Sequence, residues 1–171
     1  MVFIDLAKER YSVRKFSDRP VEQEKLDRII EAALVAPTAK NSQPWRMYVL
    51  KSEEALAKIN ALSRCIFGAP VVLLFTYDRN EEWKSPLEDG VHAGVEDASI
   101  VATHVMLEAW EQGLGSLWVN LFPNTETERA FDLPESERSV LLMPIGYADE
   151  GSGPSERHAL SRPADELVRY L

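Results

Sequence analysis

The densest group of cationic side chains lies near the N-terminus, between Lys8 and Arg19. Five basic residues meet only two acidic ones there, so the local charge is +3 in a chain whose net charge is −9. If residues 10–14 are extended, side chains two positions apart share a face, and Arg10, Ser12 and Arg14 offer two guanidiniums and a hydroxyl to one anion. A phosphate monoester matches this set of donors. The plain alternative is a solvated basic loop that follows a helix.

The other residues that could take part in catalysis or bind a metal or nucleotide do not form a recognisable site. Cys65 lies beside Ile66 and Phe67, which favours a buried structural thiol over a nucleophile. The three histidines are too scattered for a zinc motif. Gly113-Leu-Gly115 follows a helical pattern instead of a strand, so it does not predict a dinucleotide-binding turn. The residues indicate no catalytic or metal-ligating constellation, and an enzyme with this sequence would rely on a cofactor.

The composition excludes several classes of protein. With 28 acidic and 19 basic residues, the chain is not expected to bind nucleic acid or anionic membranes in general. One cysteine cannot form an internal disulfide framework. No signal peptide or continuous apolar stretch of membrane-spanning length occurs, which predicts a cytoplasmic protein without a membrane partner. The length of 171 residues predicts one domain over 1–171.

The hydropathy pattern predicts the elements that must position the basic segment. A long helix is expected at 91–112, and its apolar residues spread over more faces than a monomer of this size would cover. Helices are also predicted at 2–10, 22–36 and 53–62, and the capping-box spacing at 125–128 predicts a further short helix. The predicted strands cover 46–51, 70–77, 116–120 and 140–146. These elements alternate without regular βαβ units, so we expect an α+β sandwich of one sheet between helices. The apolar long helix indicates a homodimer.

Two motifs near the N-terminus occur in a characteristic order. The first is Arg10-Tyr-Ser-Val-Arg14-Lys-Phe16, and the second, APTAKNSQPW, runs from Ala36 to Trp45. Together they closely resemble the nitroreductase family of FMN-dependent oxidoreductases. Shorter matches extend the resemblance over essentially the whole chain, at 69–72, 94–98, 113–118, 144–147 and 161–163. The resemblance implies a three-layer sandwich, with a central mixed or antiparallel sheet flanked by helices, in an intertwined homodimer with FMN at the interface. The segment at about 149–171 is then expected to extend over the partner subunit.

The resemblance also assigns the phosphate end of the cofactor site. The first motif implies that Arg10, Ser12 and Arg14 bind the FMN phosphate and ribityl chain, in agreement with the anion geometry argued above. A basic residue in the C-terminal segment is expected to complete this end of the site. Arg162 fits that role best, and Arg157 is the alternative.

The ring end of the site is assigned in the same way. The second motif implies a loop that lines the flavin ring and the partner subunit's site, through Pro37, Thr38, Asn41 and Gln43. The amides of Asn41 and Gln43 both donate and accept, which suits the polar edge of a flavin. Backbone along one flavin face is expected at Trp118, Val119 and Asn120. Whether Arg64 makes a further contact with the cofactor stays open.

The function implied by the resemblance places the chemistry on FMN and on no catalytic side chain or metal. NADH or NADPH reduces flavin N5 by hydride transfer and leaves, after which a nitroaromatic, a quinone or a similar acceptor takes the electrons in a ping-pong cycle. The short segment at 78–90 leaves open whether a lid shapes the acceptor pocket. Three alternatives stay open: a specialised branch that fragments flavin or dehalogenates reductively, a flavin-binding redox sensor with little turnover, and a dimeric α+β domain without flavin.

Overall fold

The computed structural model describes residues 2–171, which form six α-helices and a four-stranded sheet. The helices are α1 (Phe3–Glu9), α2 (Gln23–Leu34), α3 (Glu53–Leu62), α4 (Gly94–Glu111), α5 (Asn124–Ala130) and α6 (Ala164–Leu167). The strands are β1 (Trp45–Leu50), β2 (Val71–Asp78), β3 (Gly115–Ser116) and β4 (Glu137–Gly146). Short 3₁₀ turns lie at Ala39–Asn41, Arg64–Ile66 and Glu156–Ala159. All of the named helices within the described residues are too short or too polar to cross a membrane.

The sheet is antiparallel in the order β1-β2-β4-β3. Strands β2 and β4 are the two inner strands: Leu50 of β1 pairs with Val72 of β2, and Ile145 of β4 pairs with Val71 of β2. The register of β2 against β4 shifts between Phe75 and Thr76, where a bulge interrupts the ladder. The one parallel pairing among the described residues is the isolated bridge of Ser12 with Ser116.

Two apolar layers cover the sheet because the side chains of β2 alternate. Val71, Leu73 and Phe75 face one side, where they pack with apolar residues of α2 and α4. Val72 and Leu74 face the other side and pack with residues of α3 and with the N-terminal segment. All seven residues at 71–77 are buried, as a strand covered on both faces requires. The predicted three-layer α+β sandwich is confirmed.

Some element boundaries differ from the predicted ones. Ser52 caps α3 as the sequence indicates, because its hydroxyl accepts the N–H of Ala55 at 3.2 Å. The predicted strand at 116–120 was too long: β3 ends at Ser116, and only Val119 pairs again, with Leu142. Helix α4 begins at Gly94 instead of residue 91, because residues 91–93 fold back and hydrogen-bond with residues 83–85.

A polar cluster joins the start of α2 to the end of β4. The Tyr147 hydroxyl donates to Glu22 at 2.7 Å, and Arg19 donates to the other carboxylate oxygen at 2.7 Å while covering the Tyr147 ring. The hydrogen bonds from Tyr147 and Arg19 lower the pKa of Glu22 from 4.5 to about 2. Because the folded value lies below the ordinary one, this stabilisation is complete above pH 4.5 and is lost as the pH falls toward 2.

The Glu22→Gln variant should therefore be less stable than the wild type at neutral pH, by an amount that shrinks as the pH falls from 4.5 toward 2. Thermal unfolding followed by circular dichroism at several pH values measures the difference. Glu24→Gln, which removes a negative charge from the same helix, is the control. A stability gap for Glu22→Gln that stays constant across this range would show that the pKa of Glu22 is not lowered.

Candidate functional site

The N-terminal basic segment is extended where it crosses the end of the sheet. Ser12 forms a bridge with Ser116, and the N–H of Val13 donates to the Ser116 carbonyl at 3.0 Å. Val13 is completely buried and anchors the segment, while Arg14 beside it is exposed. Since side chains alternate along extended chain, the backbone turns Ser12 and Arg14 away from the core.

These residues line a polar pocket of about 270 Å³. Its lining is Arg10, Tyr11, Ser12, Arg14, Ser155, Arg157 and His158. No acidic side chain lines it, and in residues 2–171 none of its three guanidiniums forms an ion pair with Asp or Glu. Burial lowers the pKa of Arg10, so the charged guanidinium there lacks full solvation. The pocket can bind an anion that supplies the missing counter-charge.

The C-terminal segment brings Arg157 to this pocket and leaves Arg162 outside its lining. The 3₁₀ turn at Glu156–Ala159 is held by His158, whose Nε2 lies 3.0 Å from the Lys8 carbonyl and whose ring meets the Tyr11 ring edge-on at 6.4 Å. Arg162 is exposed beyond this turn. Of the two basic residues that the sequence offered, Arg157 is the one that the fold of this chain brings to Arg10, Ser12 and Arg14.

The chain after Ser116 leads from this pocket to a second one. The N–H of Leu117 donates to the Pro144 carbonyl at 3.2 Å, and Val119 exchanges hydrogen bonds of 2.9 and 3.0 Å with Leu142. Trp118 donates through its indole N–H to the side-chain oxygen of Asn120 at 2.7 Å.

The second pocket, of about 530 Å³, is lined by residues 60–64 and 120–123. Arg64 is the only charged residue that lines it, and the described residues offer that guanidinium no acidic partner. The two halves are tied together by Ser63, whose hydroxyl donates to the Leu121 carbonyl at 2.9 Å. A sequence signal for Arg64 did exist: it is the only charged residue between Lys58 and Asp78.

The loop at 37–43 lies apart from both pockets within one chain. Thr38 organises it, because its hydroxyl accepts the N–H of Gln43 at 3.1 Å and its carbonyl accepts the N–H of Asn41 at 2.9 Å. The side chain of Gln43 donates to that of Asn41 at 2.8 Å. Pro37, Asn41 and Gln43 are exposed, and none of the four predicted loop residues lines either pocket. Within residues 2–171, no group of three or more acidic, His or Cys side chains could hold a metal ion.

Comparisons with known proteins agree with this architecture. The model of the Nitroreductase family matches residues 7–67 and 61–147. A crystal structure of a nitroreductase family protein from Clostridium difficile 630 superposes with a TM-score of 0.93 at 37% identity, covering 99% of this chain and 98% of that one. An FMN-dependent nitroreductase from Clostridium difficile R20291 has a TM-score of 0.78 at 27% identity, with 98% of each chain covered.

A curated relative points the same way. The NADH dehydrogenase of Thermus thermophilus is 29% identical over 191 residues, which covers 91% of both chains. The family match extends over most of the chain, including the N-terminal basic segment, the loop at 37–43 and the chain that joins the two pockets. This protein belongs to the nitroreductase family.

Proposed function

We propose that this protein is an FMN-dependent oxidoreductase that takes a hydride from NADH or NADPH and passes electrons to an electron-poor acceptor such as a nitroaromatic or a quinone. The observation that carries the proposal is the pair of pockets joined by the short stretch of chain after Ser116. One holds cations without acidic partners, and the other holds a single arginine among apolar and neutral polar groups. An elongated cofactor with a phosphate at one end and a polar ring at the other fits this pair.

The hydrogen-bond donors of the first pocket fit the phosphate of FMN. Arg10, Arg14 and Arg157 contribute positive charge, and Ser12 contributes a hydroxyl. Guanidiniums form short, charge-assisted hydrogen bonds to phosphate oxygens, and one guanidinium often donates two parallel hydrogen bonds to one phosphate. We propose that these four residues bind the FMN phosphate. We assign Arg162 no contact with the phosphate that its own chain binds.

The donors of the second pocket fit the neutral, polar edge of the flavin ring. Because the side-chain oxygen of Asn120 is taken by Trp118, its amide N–H groups are left to donate to a carbonyl. Arg64 can donate to a ring carbonyl and place positive charge beside it. We propose that Arg64 and Asn120 face the polar edge of the flavin ring, with the backbone of Trp118 and Val119 along one ring face.

When bound, FMN supplies an N5 atom that can accept and return a hydride. The chain's own contribution is to bind, orient and tune the cofactor. Arg64 is the only ionisable side chain that lines the second pocket, so positive charge is the electrostatic influence the chain exerts there. This charge favours electron density on the adjoining part of the ring.

We propose that the working unit is a homodimer of two single-domain chains. The loop at 37–43 does not line the pockets of its own chain, which supports its use by a second copy. An apolar groove of about 630 Å³ between α1, α2 and α4 is available for that contact, and Phe3 and Val35 on it are 66% and 73% exposed. The segment at 149–171, with exposed Leu160 and Tyr170, is proposed to extend over the partner.

A charge in this groove should separate the two copies. Val35→Glu is expected to convert the dimer to a monomer and to weaken FMN binding, because the partner's loop is then missing from the site. Size-exclusion chromatography with light scattering gives the mass. Leu87→Glu, at a residue 94% exposed and outside the groove, is the control and should stay dimeric. A Val35→Glu variant that keeps twice the chain mass and its FMN would contradict the interface.

Steady-state oxidation of NADH or NADPH with a quinone or a nitroaromatic acceptor tests the activity. Parallel double-reciprocal plots at several acceptor concentrations are expected, since the reductant leaves before the acceptor binds. Turnover that requires no added acceptor and fragments the flavin, or that releases halide from a halogenated aromatic, would instead indicate a specialised branch of the family. Reduction without turnover would indicate a redox sensor.

A further inference from the structure

Asp97 is a buried carboxylate on the first turn of α4. It is 1% exposed, and its Oδ1 accepts the backbone N–H of Ala39 at 2.8 Å. Its Oδ2 is buried without a hydrogen-bond partner in residues 2–171. This single bond connects α4 to the loop at 37–43 across 58 positions of the sequence.

A carboxylate buried in this position lowers the stability of the folded protein. Burial raises the pKa of Asp97, and the neighbouring charge of Glu96 raises it further. An unpartnered oxygen in the interior loses its solvation without compensation. Apolar neighbours on the same helix, such as Ala98 and Val101, fill the core without this cost. The benefit of Asp97 must therefore come from the bond that it does form.

The loop that receives this bond has an unusual backbone, and its other hydrogen bonds from Asn41, Ser42 and Gln43 all stay within the loop. Lys40, Asn41 and Gln43 have positive φ angles of 53°, 54° and 49°, a region that residues other than glycine rarely adopt. Ala39 begins the 3₁₀ turn that leads into them. A charge-assisted bond to the N–H of Ala39 fixes the start of this turn against a rigid 18-residue helix.

We infer that Asp97 is a positioning residue for the flavin site: by holding Ala39, it sets the backbone of the loop that presents Asn41 and Gln43 to the ring. The inference rests on the proposed function, in which this loop contacts the flavin. Asp97 itself touches no cofactor. Its effect is confined to the ring end, because the phosphate end is built from residues 10–14 and Arg157.

The dissociation constants of FMN and of riboflavin, which lacks the phosphate, test this role by fluorescence titration. Asp97→Ala should weaken both ligands about 10-fold or more and by the same factor, whereas Asp97→Asn keeps an acceptor for Ala39 and should stay within about 3-fold of the wild type. Ala39→Pro removes the donor and leaves Asp97 intact, so it should reproduce Asp97→Ala. Glu137→Gln changes another buried carboxylate, which accepts from Tyr48 and Thr76, and should leave both constants unchanged.

The outcomes separate this inference from the proposed function. If the wild type binds neither flavin, the proposed function is wrong and the inference falls with it. If the wild type binds FMN and both Asp97→Ala and Ala39→Pro bind it equally well, Asp97 is not a positioning residue while the proposed function stands. Loss of FMN with riboflavin unaffected would also contradict the inference, as would an Asp97→Asn variant as weak as Asp97→Ala.

Discussion

Replacing Arg10 and Arg14 together by alanine is expected to weaken FMN binding by roughly 10²- to 10⁴-fold, because each charge-assisted hydrogen bond contributes about 1.5–3 kcal/mol. Both guanidiniums line the pocket that contains no acidic side chain, and the double variant leaves Arg157 as the only guanidinium in that lining. Each single variant should lose about 10- to 100-fold. Equilibrium dialysis or fluorescence titration with FMN measures the effect.

Lys15→Ala is the matched control for this experiment. It removes one positive charge from the same segment, but Lys15 pairs with Asp149 at 2.7 Å and does not line the pocket. Its FMN affinity should stay within a factor of about 2, as expected for an exposed ion pair. Riboflavin should bind the double variant and the wild type equally, since it has no phosphate. A double variant that retains full FMN occupancy would exclude this pocket as the phosphate site.

Gly115→Ala is expected to destabilise the protein by about 1–3 kcal/mol and to impair FMN binding, because the added methyl overpacks a buried site. A Cβ at this position would overlap Cγ2 of Val13 and lie 2.9 Å from its Cβ. Val13 is completely buried, so its side chain cannot move freely away from the added methyl group. Its displacement would also move Ser12, which bridges to Ser116. Chemical denaturation and FMN titration measure the two effects.

Gly153→Ala is the control, because a Cβ there meets nothing within 4 Å. It should leave both stability and FMN affinity unchanged. Combining Gly115→Ala with Val13→Ala removes the overlapping methyl groups, so the double variant should be more stable than the sum of the two single effects predicts. A fully stable Gly115→Ala variant that binds FMN normally would show that Gly115 does not set the position of the N-terminal segment.

The features that the sequence predicted well are those governed by local periodicity. The spacing of Arg10, Ser12 and Arg14 already indicates one face of an extended segment, and the structure brings all three to one pocket. The apolar run at 70–77 predicts a doubly covered strand, which is confirmed in β2. Alternation and helical repeats depend on neighbouring residues only, so they can be recognised without knowledge of the fold.

The features that the sequence left open depend on contacts between distant segments. The position of Arg157 beside Arg10, Ser12 and Arg14 depends on the turn at 156–159, which is held against residues 8–11 by His158. The position of Arg64 opposite Asn120 likewise depends on a bond between Ser63 and Leu121. The predicted strand at 116–120 was too long because hydrophobicity alone does not reveal which backbone groups find a partner strand.

The most direct test of a flavin oxidoreductase is the visible spectrum of the purified protein, reconstituted with FMN and then treated anaerobically with NADH and with NADPH. The proposed function predicts bound flavin absorption that one or both nicotinamides bleach and that an added quinone restores. A colourless protein that cannot be reconstituted with FMN, or bound flavin that neither nicotinamide reduces, would contradict it.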